Sequence, residues 1–506
     1  MFIDTFAGAL EVLIHPTTWL FILLGAVWGV FVGAMPGIGS PVGYALLLPL
    51  TFVLDPVQSV AMLLAVSVGN AFGNSLPAIT LAIPGSPATI MTVLDGHALF
   101  KQGKGDVALG ATFIAALAGQ LISIPLFVLL VIPLANLAYV FQAPELFGIY
   151  VLGLVAVVSI ASNNIVKGLL SAAFGMIVGM VGLDPLTTFS RFTFGINEIR
   201  AGFDETAVIV GILALGEIFR SLRQSFDWGV GSETGRVRLP RLKEMGGKGM
   251  LPSLFGGTVL GTLIGAIPGA GSTTAALVSY EQAKLWSKHP EEFGKGSLTG
   301  IIANEAAQNA ANSGELIPTL ALGIPAGGSM LILLGALISQ GFVPGPFLIV
   351  ENPQLLWAAV AGLLGATIFL AIIGMRMAGW MLAVSRVNRS MVMVTALALV
   401  ILGTYSLKSS LTDVLVLLLY GVIGYFMYRF GYSPAAAALA VVLARGFETS
   451  LRRGLALSHD SFIELITRPI TAALLLLSIA VLTVGLVRQG RRKRLSVPGE
   501  PDAFVE

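Results

Sequence analysis

Charged positions in this 506-residue chain fall in clusters, and long stretches without any run between them. Residues 12–54 hold no Asp, Glu, Lys or Arg, and neither do 56–94. A helix needs about 20 apolar residues to cross the hydrocarbon core of a bilayer. Each of these two stretches therefore predicts two crossings, or one crossing plus a re-entrant hairpin. Further uncharged runs cover 107–144, 146–166, 168–183 and 206–216, then 249–280, 316–350, 352–375, 390–407, 414–428, 430–444 and 469–487. By length they predict about twelve spans. None alternates with the period of two expected of a barrel strand, so the predicted fold class is all-α and polytopic.

Composition turns that pattern into a statement about solvent. Charged residues make up 11% of the chain and hydrophobic ones 56%, against roughly 25% charged in ordinary soluble domains. So little charge spread over a soluble surface would leave large apolar patches in water, so the chain reads as an integral membrane protein. Glycine is also abundant, at 60 residues, and membrane helices use it where backbones approach closely or break. Cysteine is absent, which excludes disulfides, thiolate nucleophiles and cysteine-ligated metals. A net charge of +2 gives no reason to expect a nucleic-acid partner.

The placement of charge carries orientation. Arg236, Arg238, Arg241 and Lys243 lie in the one long internal hydrophilic stretch, and Arg488, Arg491, Arg492, Lys493 and Arg494 follow the last apolar run. The positive-inside rule puts both clusters on the cytoplasmic side and the N-terminus outside. The expected organisation is a first membrane repeat over 10–223, a cytoplasmic basic loop over 224–249, a second repeat with additional spans over 250–487, and a cytoplasmic tail over 488–506.

The word repeat rests on two motifs. Gly33-Ala-Met-Pro-Gly-Ile-Gly-Ser40 returns as Gly265-Ala-Ile-Pro-Gly-Ala-Gly-Ser272, and Gly25, Gly29 and Gly33 upstream match Gly257, Gly261 and Gly265. Asn74-Ser75 then leads to an Ile83-Pro84 step. Asn312-Ser313 leads, after three extra residues, to Ile324-Pro325, and Gln102-Gly103 answers Gln340-Gly341. If the first copy starts outside and the second at the basic loop, the two run in opposite directions. That is the inverted-topology architecture common among secondary transporters.

Proline removes a helical hydrogen bond, and glycine tolerates the unwound backbone that follows. Such a break survives at membrane depth only when buried in protein or lining a wet cavity. A helix restarting at Ser40 or Ser272 offers unpaired N–H groups and a hydroxyl, which suit an anion. Carbonyls freed on the other side suit Na⁺. The candidate substrate-binding residues are Gly37, Gly39 and Ser40 with Gly269, Gly271, Ser272, Thr273 and Thr274. Polar stripes at helical spacing, Ser67, Asn70 and Asn74 on one helix and Glu305, Gln308, Asn309 and Asn312 on another, add Asn70, Asn74, Glu305, Asn309 and Asn312, and the repeated Asn-Ser pair adds Ser75 and Ser313. With the hairpin-tip prolines Pro84 and Pro325, these are candidates for an ion site or path. Na⁺ is expected near Asn74 and Asn312, and Glu315 is a second carboxylate bordering an apolar run. Glu281 and the run Lys284–Lys295 are expected to form a solvated interfacial segment. No Gly-x-x-x-x-Gly-Lys-Ser/Thr loop and no His-Glu-x-x-His motif is present, so neither direct ATP use nor an enzyme is expected. On the residues alone a passive channel for small anions and a non-transporting scaffold subunit stay open.

Gly33–Ser40, Asn74–Pro84, Gly265–Ser272 and Ser287–Gly296 together resemble the TctA family, the large membrane subunit of tripartite tricarboxylate transporters. The resemblance implies a bacterial inner-membrane permease. It implies a small four-span TctB-like subunit, and a TctC-like periplasmic protein that delivers a di- or tricarboxylate. It also implies uptake driven by an ion gradient, with Na⁺ the expected coupling ion and no other cofactor. Alternating access, of elevator type by analogy with other paired-hairpin transporters, is the expected motion.

Overall fold

The computed structural model describes every residue except 1, 36–39, 137–139, 162–163, 188, 224–249, 385–388 and 496–506. Gly37, Gly39 and the basic loop therefore lie outside the described residues. The described chain is helical throughout apart from one hairpin, in which Gly182–Leu183 pairs antiparallel with Ser190–Arg191. Its longer helices are α1 (Phe2–Ile14), α2 (Pro16–Gly33), α3 (Ser40–Thr51), α4 (Pro56–Leu81), α5 (Gly105–Asn136), α6 (Ala143–Ala161) and α7 (Ile165–Gly179). Then come α8 (Met250–Gly265), α9 (Gly271–Trp286), α10 (Leu298–Leu322), α11 (Gly328–Ser339) and α12 (Pro353–Val384). The last are α13 (Arg389–Lys408), α14 (Leu411–Arg429), α15 (Pro434–Leu457) and α16 (Pro469–Leu495). Among the described residues seven helices are long and apolar enough to cross a membrane, and six shorter apolar ones accompany them. This is an all-α polytopic membrane fold.

Two compact units divide the chain. One comprises 1–139 and 203–426, the other 140–202 and 427–506, so each draws on both sides of residues 224–249.

The larger unit contains the repeat. Asp55 caps α4 by accepting from the Gln58 N–H at 2.9 Å, and Ser297 caps α10 by accepting from the Gly300 N–H at 3.2 Å. A proline inside the last turns, Pro77 or Pro318, loosens each helix near its end. Each helix then stops at a left-handed residue, Ala82 or Gly323, whose N–H returns to that proline's carbonyl. Small residues set the helix packing. A Cβ on Gly25, Gly29 or Gly33 of α2 would overlap the carbonyl oxygens of Met62, Val66 and Asn70 on α4. A Cβ on Gly257, Gly261 or Gly265 of α8 would overlap those of Ala303, Ala307 and Ala311 on α10. Both series step by four residues, which is one helical face, and their identical spacing superposes the two copies.

In both copies the break is a re-entrant hairpin. Thr17 at the start of α2 takes a hydrogen bond from Gln58 at the start of α4, and Ser59 bonds the carbonyl of Thr51, where α3 ends. The hairpin therefore enters and leaves at one end of α4. In the second copy the start of α8 and the end of α9 line one groove, with Ser253 facing Ser279 and Gln282. The long helices α4 and α10 run antiparallel, because Ser75 meets Glu305 while the earlier Ala71 meets the later Gln308. Equivalent helices that run antiparallel make the repeat inverted.

The copies are interlocked. Gly119 of α5 packs on Ala306 of α10, where a Cβ would come 2.6 Å from the carbonyl oxygen. Gly362 of α12 packs on Ala61 of α4 at the same distance. Gln340 donates to the carbonyls of Thr51 (2.6 Å) and Leu54 (3.3 Å), and Gln102 donates to that of Lys295 (3.0 Å). The Gln-Gly pair seen twice in the sequence is thus the clasp by which each copy closes the other's loop. Asp95 adds a further clasp, accepting from the N–H groups of Gly294, Gly296 and Ser297 at 2.8–2.9 Å and from the Tyr280 hydroxyl at 2.8 Å.

The smaller unit packs α15 on α6 and α7 through small residues, with Gly175 against Ala437 and Gly179 against Ala444. The hairpin is tied to α15: Arg191 grips Glu448 with both terminal nitrogens (2.6 and 2.9 Å), and Arg452 bonds Asp184 at 2.8 Å.

Candidate functional site

Superposing the copies corrects one pairing expected from sequence. The glycine contacts put residues of α4 and α10 in a continuous register, and Gly73 against Val30 corresponds to Gly314 against Thr262. Pro77 then matches Pro318, and Ala82 matches Gly323. No three-residue insertion exists, because α10 is one unbroken helix. Asn74 therefore corresponds to Glu315, and the two Asn-Ser dipeptides are not equivalents.

Their surroundings differ accordingly. Ser75 donates to the Glu305 carboxylate at 2.8–2.9 Å. Ser313 instead meets Gln120 (2.7 Å) and Ser123 (2.8 Å) of α5. Asn312 has an unpaired amide nitrogen, and Asn309 donates to its own helix at the Glu305 carbonyl (2.9 Å).

Glu305 is fully buried. Besides Ser75 it accepts from the Thr92 hydroxyl, which in turn accepts from the Asn304 amide at 2.8 Å. No Lys or Arg takes part in this group of hydrogen bonds. A buried carboxylate is costly unless paired or hydrogen-bonded, and here hydroxyl groups do that work. Thr92, Asn304 and Gln120 were missing from the sequence candidates. The visible signal was a lone amide or hydroxyl inside an otherwise apolar run, as with Gln120 in 107–144.

The break motifs meet the hairpin tips. In the second copy the Gly269 N–H donates to the Ala326 carbonyl at 2.9 Å, tying break to tip. Ser272 lies in the first turn of α9, beside which Glu315 of α10 places its carboxylate. A Cβ placed on Gly327 would lie 3.1 Å from that carboxylate, and one on Gly271 3.5 Å. Gly269 and Gly271 adopt φ of +82° and +57°, the left-handed region that makes glycine the fitting residue there. Thr273 is exposed and Thr274 half-buried.

In the first copy Ser40 opens α3 and its hydroxyl donates to Asn70 Oδ1 at 2.5 Å, which also accepts from Asn74 at 3.1 Å. Tip residue Gly85 lies against the Asn74 backbone, where a Cβ would come 2.6 Å from the Asn74 carbonyl oxygen. Pro84 is exposed whereas Pro325 is buried. The two half-helices also converge: Pro41 in the first turn of α3 touches Gly328 at the start of α11. Ser40, Asn70 and Asn74 are thus one group, Gly269, Ser272, Glu315 and Pro325 a second, and Ser75 with Glu305 a third. Glu281 and most of the Lys284–Lys295 run are exposed, as expected.

A family model described as Tripartite tricarboxylate transporter TctA family matches residues 19–439. Two proteins of Agrobacterium vitis are similar to the chain. One, "Uncharacterized 52.8 kDa protein in TAR-I ttuC' 3'region", is 34% identical over 492 residues, 97% of this chain and 98% of its own. The other, "Uncharacterized protein in TAR-II ttuC' 3'region", is 34% identical over 242 residues, 48% of this chain and all of its own. No protein of solved structure matches. With the inverted repeat, the re-entrant breaks and these relatives in view, the chain belongs to the tripartite tricarboxylate transporter TctA family.

Proposed function

We propose that this protein is the permease subunit of a secondary-active system that imports an organic di- or tricarboxylate. The observation that carries the reading is the meeting of half-helix starts inside an inverted repeat: Pro41 of α3 lies against Gly328 of α11, and the neighbouring Gly327 lies against the Glu315 carboxylate beside the start of α9. Helix starts offer free N–H groups and the positive end of a dipole, which favour carboxylate groups without a buried cation. A TctC-like binding protein would deliver the substrate from the periplasm, and a TctB-like four-span subunit would complete the complex in the bacterial inner membrane. The N-terminus would face the periplasm and the C-terminus the cytoplasm.

Na⁺ is the proposed coupling ion. The oxygens of Ser75, Thr92 and Glu305 suit a hard cation, and Ser75 is the residue after Asn74 on α4. That placement is favoured over Asn312, whose neighbour Ser313 is taken up by α5. An elevator-type movement of the paired hairpins would alternate access.

The test is uptake of labelled citrate, malate and succinate into proteoliposomes holding the complex, with a Na⁺ gradient, a proton gradient or none. Na⁺-driven uptake that needs the binding protein is expected, and Glu305→Gln should reduce it at least tenfold. Equal uptake without any gradient would make the protein a passive channel; no uptake would make it a scaffold.

A further inference from the structure

The second repeat already contains a carboxylate at its helix start. Glu315 of α10 places its carboxylate beside the first turn of α9, closed in by Gly271 and Gly327. The break is tied to the tip, and the tip proline is buried. That helix start has its carboxyl group.

The equivalent place in the first repeat is held by Asn74, which is neutral. Around it the hydrogen bonds do not close. Asn70 is 1% exposed, and its Oδ1 accepts from both Ser40 and Asn74, yet its Nδ2 donor has no partner among the described residues. A buried donor left unmade costs roughly 1–3 kcal/mol. It stands beside the hydroxyl that opens α3, where the helix dipole adds its own preference for negative charge. The tip above it is the open one, with Pro84 exposed. What is missing is an acceptor carrying negative charge, in the register where the other repeat supplies Glu315.

We infer that a carboxylate group of the transported anion binds at the start of α3 against Ser40, Asn70 and Asn74, in the position that Glu315 fills with its own side chain at α9. This rests on the permease reading above and sharpens it. Only one of the two helix starts receives a carboxylate of the substrate. The other is occupied from within by the Glu315 carboxyl group, which takes the place of a second substrate carboxylate there. The groups of the substrate nearest Glu315 are then hydrogen-bond donors such as hydroxyls rather than carboxylates.

The test copies the second repeat into the first. In the purified complex, Asn74→Glu should place a built-in carboxylate at α3 and weaken binding of labelled citrate, malate and succinate at least 100-fold. Asn74→Gln, of the same length but neutral, should weaken it less than tenfold. Asn70→Asp exchanges the unpaired donor for a charge and should match Asn74→Glu, which guards against one variant failing to fold. Thermal unfolding in detergent checks that the variants are folded. Glu315→Gln should weaken binding less than Asn74→Glu does. Equal binding by Asn74→Glu and Asn74→Gln would overturn the assignment, as would loss in Glu315→Gln with Asn74→Glu unaffected. If the wild type takes up none of the three acids, the permease reading itself fails.

Discussion

At the residue scale, the best-connected charge of the smaller unit is Asp184. It accepts from the backbone N–H groups of Thr187 and Leu186 at 2.9 Å each and from Arg452, with Arg191 at 3.3 Å. The Thr187 bond first, then the Leu186 bond and the Arg452 guanidinium, hold its carboxyl well below the usual carboxylate range. A folded-state value below the unfolded one stabilises the fold above the ordinary carboxylate pKa of about 3.9 and is lost as pH falls through the folded value. Wild-type protein should therefore lose thermal stability as pH drops below about 4. Asp184→Asn should be less stable at pH 7 and show a flatter dependence in that acid window, measured by unfolding in detergent. Ser75 shows why residue roles were only partly legible. Its hydroxyl is a candidate from the repeated Asn-Ser pair, but its partner Glu305 lies 230 positions away. Nothing within α4 announces which face α10 will cover.

Helices and their contacts form the next scale, and here the glycines carry the packing. On α8, Gly261 faces the Ala307 carbonyl, whereas Gly256 has no atom within 4 Å of where a Cβ would sit. Gly261→Leu should push α8 off α10 and destabilise the protein by about 1–3 kcal/mol, the usual cost of overpacking. Gly256→Ala should leave the unfolding temperature nearly unchanged or raise it slightly. The three-glycine stripes were legible in sequence because their spacing is a single-helix property repeated at a fixed offset. The hairpin was not. An uncharged run of 43 residues, 12–54, permits either two crossings or a return to the same face, and only the contact between Thr17 and Gln58 decides between them. The register of the second motif was misread for a similar reason. The repeated Asn-Ser letters invite an insertion that a continuous helix with equivalent prolines does not contain.

For the whole molecule, antiparallel α4 and α10 require that equivalent ends of the two copies face opposite sides of the membrane. Lys101 lies beyond the end of the first copy's helical arm and Val343 just after α11, and both are exposed. The chain has no cysteine of its own, so Lys101→Cys and Val343→Cys can be labelled singly in right-side-out vesicles. One should react with a membrane-impermeant maleimide and the other only after permeabilisation; labelling of both from one side would contradict the inversion. The inversion was readable from charge placement and the repeated motif. The exchange of α5 and α12 between copies was not, since their apolar sequences fit any small-residue groove.

That exchange bears on how the protein is made. The carbonyl of Thr51, bonded locally by Ser59, takes its second hydrogen bond from Gln340, a partner 289 residues further along the chain. At roughly 5–20 residues per second of synthesis, the first hairpin waits about a quarter-minute to a minute before the side chain that closes its loop exists. Until then α4 also lacks Gly362, and Asp95 lacks the backbone loop it organises. The first half of the chain is thus inserted long before it can be finished, and its completion belongs to the period after the ribosome has delivered the second half.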